Sequence, residues 1–190
     1  MKKYFIISII VLCFLLFQAF VFAKVIITVP NVDERIMQVT YLWEINIEGE
    51  AQCIFPNTGY DFAKGPIKVI SVIEKNTEQE LEYEVVEVVD DSKKKQAVKV
   101  FFPTPIPKGG SFAIEVTVTA KTDFISIDKD GRYVFEYETG HYDAFFVLPK
   151  GHAITYCNYP VLVYEKTGST VVLVRGEGTK NLIFKTRSFD

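Results

Sequence analysis

From Arg35 to Gly49, Met37, Val39, Tyr41, Trp43, Ile45 and Ile47 alternate with Gln38, Thr40, Leu42, Glu44, Asn46 and Glu48. A period of two sustained this long predicts an extended strand with one apolar face. Ala51, Cys53 and Phe55 continue the pattern, so a bend near Gly49 starts a second strand. Residues 57–66 read as a loop from their Asn, Gly and Pro content. Ile67–Glu74 and Glu80–Val89 read as a hairpin about Asn76-Thr77, and Asp90–Lys95 as a polar turn. Ala97–Phe102 is a short strand expected to end at Pro103, Pro105 and Pro107, which cannot donate to a central ladder.

After the Lys108-Gly109-Gly110 turn, Phe112, Ile114, Val116, Val118 and Ala120 mark another half-buried strand. Phe124–Ile127 and Tyr133–Glu138 flank a turn at Asp128-Lys129-Asp130-Gly131. Asp143–Leu148, Ile154–Tyr159, Val161–Glu165, Thr170–Arg175 and Leu182–Lys185 complete the set. Roughly ten to thirteen short segments without a helical period predict an all-β fold, a two-sheet antiparallel β-sandwich over residues 24–190. Two smaller β units divided near residues 120–130 are the alternative, although no linker-like composition marks a boundary there.

The N-terminal residues have a different character. Lys2 and Lys3 precede the apolar run Tyr4–Phe22, and Val21 and Ala23 stand where signal peptidase needs residues ahead of a cut before Lys24. Residues 1–23 are therefore expected to be a signal peptide, or alternatively an uncleaved anchor long enough to span a bilayer. Both readings place the folded part outside the cytoplasm, in the periplasm, at the cell surface or secreted. The chain has 21 basic and 24 acidic residues, and two of the lysines fall in the leader. The remainder thus carries 19 against 24, a net −5, without basic clusters, so nucleic acid is not an expected partner. Membrane contact is expected only through an uncleaved Met1–Ala23, because no later stretch approaches ~18 apolar residues.

Beyond the leader two cysteines remain, Cys53 and Cys157, in a compartment where disulfides persist. Pairing them would close a loop of about 100 residues, worth roughly 4 to 5 kcal/mol in the chain-entropy model. The alternative is two free thiols on separate strands. With His141 and His152 these cysteines form no zinc-site spacing.

Signatures of bond-making chemistry are sparse. There is no Gly-x-Ser-x-Gly elbow. Cys157 near His141 or His152 would suit a thiol dyad, but the alternation of Ile154–Tyr159 makes it a packed strand residue. Arg175-Gly176-Glu177-Gly178-Thr179-Lys180 lacks P-loop spacing and reads as a hairpin turn. Asp128-Lys129-Asp130 resembles the opening of a calcium loop, yet Arg132 occupies the third acidic position.

The most chemically mixed segment holds Tyr137, Glu138, His141, Tyr142 and Asp143, the candidate binding surface. Strands leaving a turn at Gly140 would let Glu138, His141 and Asp143 converge as a metal or acid–base site; the plainer alternative is a solvated hairpin tip with aromatic cross-strand pairs. No catalytic residue, cofactor or metal is assigned. Tyr60, Tyr137, Tyr142 and Tyr159 lie in or near loops, where rings stack on sugars or proteins, whereas Trp43 belongs to the core face of its strand.

Val98–Phe112, with its strand, proline turn, Gly and strand, resembles a segment of ribophorin-like and zinc-aminopeptidase N-terminal β-sandwich domains. Phe146–Ile154, containing Leu148-Pro149-Lys150-Gly151 and followed by Tyr159-Pro160, is similar to a second segment of such extracytoplasmic domains. In aminopeptidases that sandwich precedes a catalytic domain with a His-Glu-x-x-His sequence, which this chain lacks. The resemblance implies a noncatalytic domain. The expected function is an exported interaction or accessory module of the cell envelope, with a protein partner or a glycan. A carbohydrate-binding module is the alternative, and a hydrolase or metalloenzyme using His141 comes after it.

Overall fold

A computed structural model describes residues 20–46, 51–56, 60, 62–90, 93–140, 142–176 and 178–189. Its strands are β1 (Phe20–Asn31), β2 (Ile36–Asn46), β3 (Ala51–Ile54), β4 (Lys68–Glu74), β5 (Gln79–Glu80), β6 (Tyr83–Asp90), β7 (Lys93–Ile106) and β8 (Ser111–Lys121). They continue as β9 (Ile125–Ile127), β10 (Tyr133–Glu138), β11 (Asp143–Lys150), β12 (His152–Cys157), β13 (Leu162–Lys166), β14 (Ser169–Val174) and β15 (Asn181–Ser188). Residues 1–19 lie outside the described residues, and Phe20–Ala23 open β1.

One sheet runs β13-β14-β11-β1-β2-β8-β4-β5, a second β12-β15-β10-β9, and a third β3-β7-β6. The alternation explains the layering. On the large sheet, Val25, Ile27, Val39, Tyr41, Val116, Val118 and Phe146 share one face through the registers Val25↔Tyr41, Ile27↔Val39, Ile27↔Phe146 and Val39↔Val118. All are buried and belong to one cluster that also takes in Val98 and Val100 of β7 and Phe135 and Phe184 of β10 and β15. The opposite face is mixed, with Ile26, Leu42 and Phe145 beside Thr40 and Thr117, whose hydroxyls are joined at 3.0 Å. The second layer is divided: β15 meets the large sheet at Phe146–Phe184, 5.1 Å between ring centroids, and β7 meets it at Phe102–Phe112, 4.6 Å.

The all-β antiparallel sandwich read from the sequence is thus what the chain forms, with some corrections. Among the described residues the layer facing the large sheet is split into two smaller sheets, and β1 pairs in parallel with β11. The strand expected to stop at Pro103 runs on to Ile106. It tolerates Pro103 and Pro105 because β6 pairs no further than Val100, while on the other side a register shift carries β3 from Phe101 to Ile106. The hairpin expected from Ile67 to Val89 divides at Leu81: β5 pairs with β4 over two residues, and β6 crosses to the third sheet to pair with β7.

The β13–β14 hairpin turns through Thr167 and Gly168, with φ of 49° and 81°. Positive φ at both central residues defines a type I′ turn, which suits Asn-Gly better than Thr-Gly because a β-branched residue crowds the left-handed region. Thr167→Asn is expected to stabilise the fold by about 1 kcal/mol. This would appear as a higher urea midpoint at unchanged slope; an unchanged or lower midpoint would contradict this geometry.

Candidate functional site

Three connections cross between the layers at one end of the sandwich. The β10–β11 link contains Thr139 and Gly140, the β12–β13 link Asn158–Val161, and the β14–β15 link Arg175–Lys180. The last was expected to be a hairpin turn, but β14 and β15 lie in different sheets, so it is a crossover.

Hydrogen bonds tie the connections together. The Thr139 hydroxyl donates to the Gly178 carbonyl at 2.9 Å and accepts from the Lys180 N–H at 2.9 Å. Asp143 accepts from Arg175 Nη1 at 2.8 Å and from the Gly176 N–H at 3.0 Å. Asn158 donates to the Asn181 carbonyl at 2.9 Å and accepts from the Ile183 N–H at 2.7 Å.

Between the links lies a cavity of about 330 Å³. It is lined by the buried Leu173, Val174 and Leu182 and by Tyr159 to Leu162. Arg175 and Lys180 supply positive charge at its rim, with the Lys180 ammonium 5.8 Å from the Tyr159 ring centroid.

The sequence-predicted surface is distributed differently. Tyr137 packs edge-on against Phe146 at 5.1 Å and Phe124 at 6.2 Å. Burial pushes its hydroxyl well above the ordinary phenol range, and a hydrogen bond with Tyr142 adds to the effect. Tyr142 in turn meets Trp43, with centroids 6.4 Å apart. These rings are part of the body rather than a loop surface. Glu138 is exposed at the end of β10 and Asp143 is engaged by Arg175. His141 lies outside the described residues. Of the remaining loop tyrosines, Tyr60 is buried and Tyr159 is exposed. Among the described residues no group of three His, Cys, Asp or Glu side chains is placed to hold a metal. Cys53 and Cys157 are free thiols on β3 and β12, in different sheets.

The calcium-like turn is closed by its own cations. Asp128 Oδ2 takes hydrogen bonds from Lys185 Nζ and Arg132 Nε, each 3.0 Å, and its Oδ1 takes the Asp130 and Arg132 N–H groups. Lys185 first, then these N–H groups and the Arg132 charge, hold the Asp128 carboxyl well below the usual carboxylate range. A depressed folded-state pKa contributes stability above the unfolded value of about 4, and that stability is lost as pH falls below it. Stability should therefore fall between pH 5 and pH 2, and fall less in Asp128→Asn. Equal acid losses in urea melts of both proteins would refute the assignment.

No family model matches the chain, and no curated protein matches it. Solved structures do. The M1 zinc metallopeptidase from Deinococcus radiodurans aligns with a TM-score of 0.54 at 10% identity, covering 88% of this chain and 41% of that one. A mutant two-domain M1 zinc metallopeptidase bound to L-tryptophan gives 0.53 at 10% identity, covering 88% and 42%. The chain thus spans about two fifths of the length of the structures it matches. At this identity the likeness is one of fold, to the N-terminal domain of such enzymes.

The sequence does not reveal the cavity. Its one signal is Arg175–Lys180, whose glycines and lysine lack P-loop spacing and read as a turn.

Proposed function

We propose that this chain is an exported, noncatalytic β-sandwich that works by surface contact, as an interaction or accessory module of the cell envelope, of the kind represented by the ribophorin-like and aminopeptidase N-terminal domains. The observation that carries the reading is β13. This edge strand of the largest sheet is exposed along its whole length, with Leu162, Val163 and Tyr164 at 58%, 49% and 42%. Tyr156 and Tyr159, also exposed, lie just ahead of it in the chain. An edge strand bearing apolar side chains is a template for strand addition unless it is blunted. The leader sequence supports export, and the missing His-Glu-x-x-His sequence supports a role without bond making.

A benzophenone side chain at position 164 should give one discrete protein adduct in intact cells. The adduct should vanish in Val163→Pro, which cannot pair at that edge, while the far-ultraviolet spectrum stays unchanged. Adducts no stronger than those from position 78, in the β4–β5 turn, would sink the reading.

A further inference from the structure

We propose that the cavity between the three connections receives the carboxyl terminus of an extended polypeptide ending in an apolar residue, with the preceding residues pairing antiparallel to β13. This rests on the surface-contact reading and names the chemistry of the partner.

Size comes first. At about 330 Å³ the cavity sits at the small end of ligand sites, which run from about 300 to 1,000 Å³, so it suits one side chain and its terminus, not a long glycan. Chemistry comes next. The lining residues Leu173, Val174 and Leu182 are apolar and buried, which calls for an apolar body. The rim carries Arg175 and Lys180 on one short connection. Arg175 uses Nη1 on Asp143, and a guanidinium has four further N–H groups to offer a carboxylate. Glu177, in the same connection, lies outside the described residues.

Continuity with β13 selects a polypeptide over a free acid. Leu162 both lines the cavity and opens β13, so a chain ending in the cavity meets the edge at its N-terminal end. Its preceding residues then run toward Lys166 in the antiparallel sense. The opposite edge of β13 is already used, by β14 from Leu162↔Leu173 to Lys166↔Ser169.

The test is titration of the whole protein with a fluorescein-labelled hexapeptide of alternating Thr and Val ending in Leu with a free carboxylate. Saturable binding is expected. Amidating the terminus should weaken it about tenfold, as should Lys180→Gln, since one charge-assisted hydrogen bond is worth about that factor. Val161→Trp, which fills the cavity, should abolish it, with thermal melts confirming that each variant is folded. Arg175→Gln is less direct because it also unpairs Asp143. No saturable binding, or equal binding by the amide, overturns the proposal. So does competition by 3-phenylpropionate at the same concentration as the peptide, because the site would then serve a free acid. The cross-link from position 164 separates the two readings. An adduct kept while the peptide fails to bind overturns the cavity assignment alone; loss of both overturns the surface reading beneath it.

Discussion

Phe184→Ala is expected to remove about 3 to 5 kcal/mol, a large share of the roughly 5 to 15 kcal/mol that holds a domain together. Phe184 has no exposed surface and is one of the residues through which the layers touch. Its ring stacks on Phe135 at 4.6 Å and 5°, and meets Phe146 of the large sheet edge-on at 5.1 Å. Truncation loses the transfer free energy of the ring and leaves a cavity that two rigid sheets cannot close. Phe184→Leu keeps part of the volume and should cost less than half as much. Phe189→Ala, at a ring 69% exposed, should stay within about 0.5 kcal/mol. Urea melts of the three variants decide the matter. A loss under about 1 kcal/mol for Phe184→Ala would mean that the layers are held elsewhere.

Alternation was readable wherever one face of a strand is buried and the other wet. Met37, Val39, Tyr41 and Ile45 are buried as the pattern of β2 predicts, and Ile114, Val116 and Val118 do the same in β8. What alternation cannot say is which sheet a strand joins. The residues from Glu80 to Val89 read as one strand, yet the chain changes sheets at Leu81, whose N–H still bonds the Val72 carbonyl at 2.9 Å. The prolines after Phe102 were read correctly as poor donors and wrongly as a stop, since a proline ends a strand only where a neighbour needs its N–H.

The site was less legible than the fold for a related reason. Tyr137, Glu138, Tyr142 and Asp143 are close in sequence, but the groups that decide their roles are not. Phe146 and Phe124 bury Tyr137, and Arg175, which comes from another crossover, takes Asp143. The cavity needs residues near 139, 160 and 175 together, and only the sheet order brings them to one end. Nothing in local composition encodes that juxtaposition.

β1 is not legible as a strand in the sequence, because Val25–Val29 merges into the apolar run of residues 4–22 and offers no contrast to read. It lies between β2 and β11, and Val25, Ile27 and Val29 are almost fully buried. A chain beginning at Lys24 should fold with a Tm within about 4 °C of the full chain, a shift that corresponds to roughly 1 to 2 kcal/mol. It keeps the whole parallel ladder, Lys24↔Asp143 to Thr28↔Val147, and loses only the β2 pairs of Phe20, Phe22 and Ala23. A chain beginning at Glu34 should not fold at all. Losing four buried side chains, Val25, Ile27, Val29 and Val32, removes roughly 6 to 12 kcal/mol, and the vacated slot leaves β2 and β11 each with an unpaired inner edge. Such edges pair with other chains, so this protein should aggregate rather than persist as a soluble unfolded form. Circular dichroism and size exclusion on both chains read the result. If the Lys24 chain also fails to fold, the residues ahead of it belong to the body, and the expected cut after Ala23 is wrong.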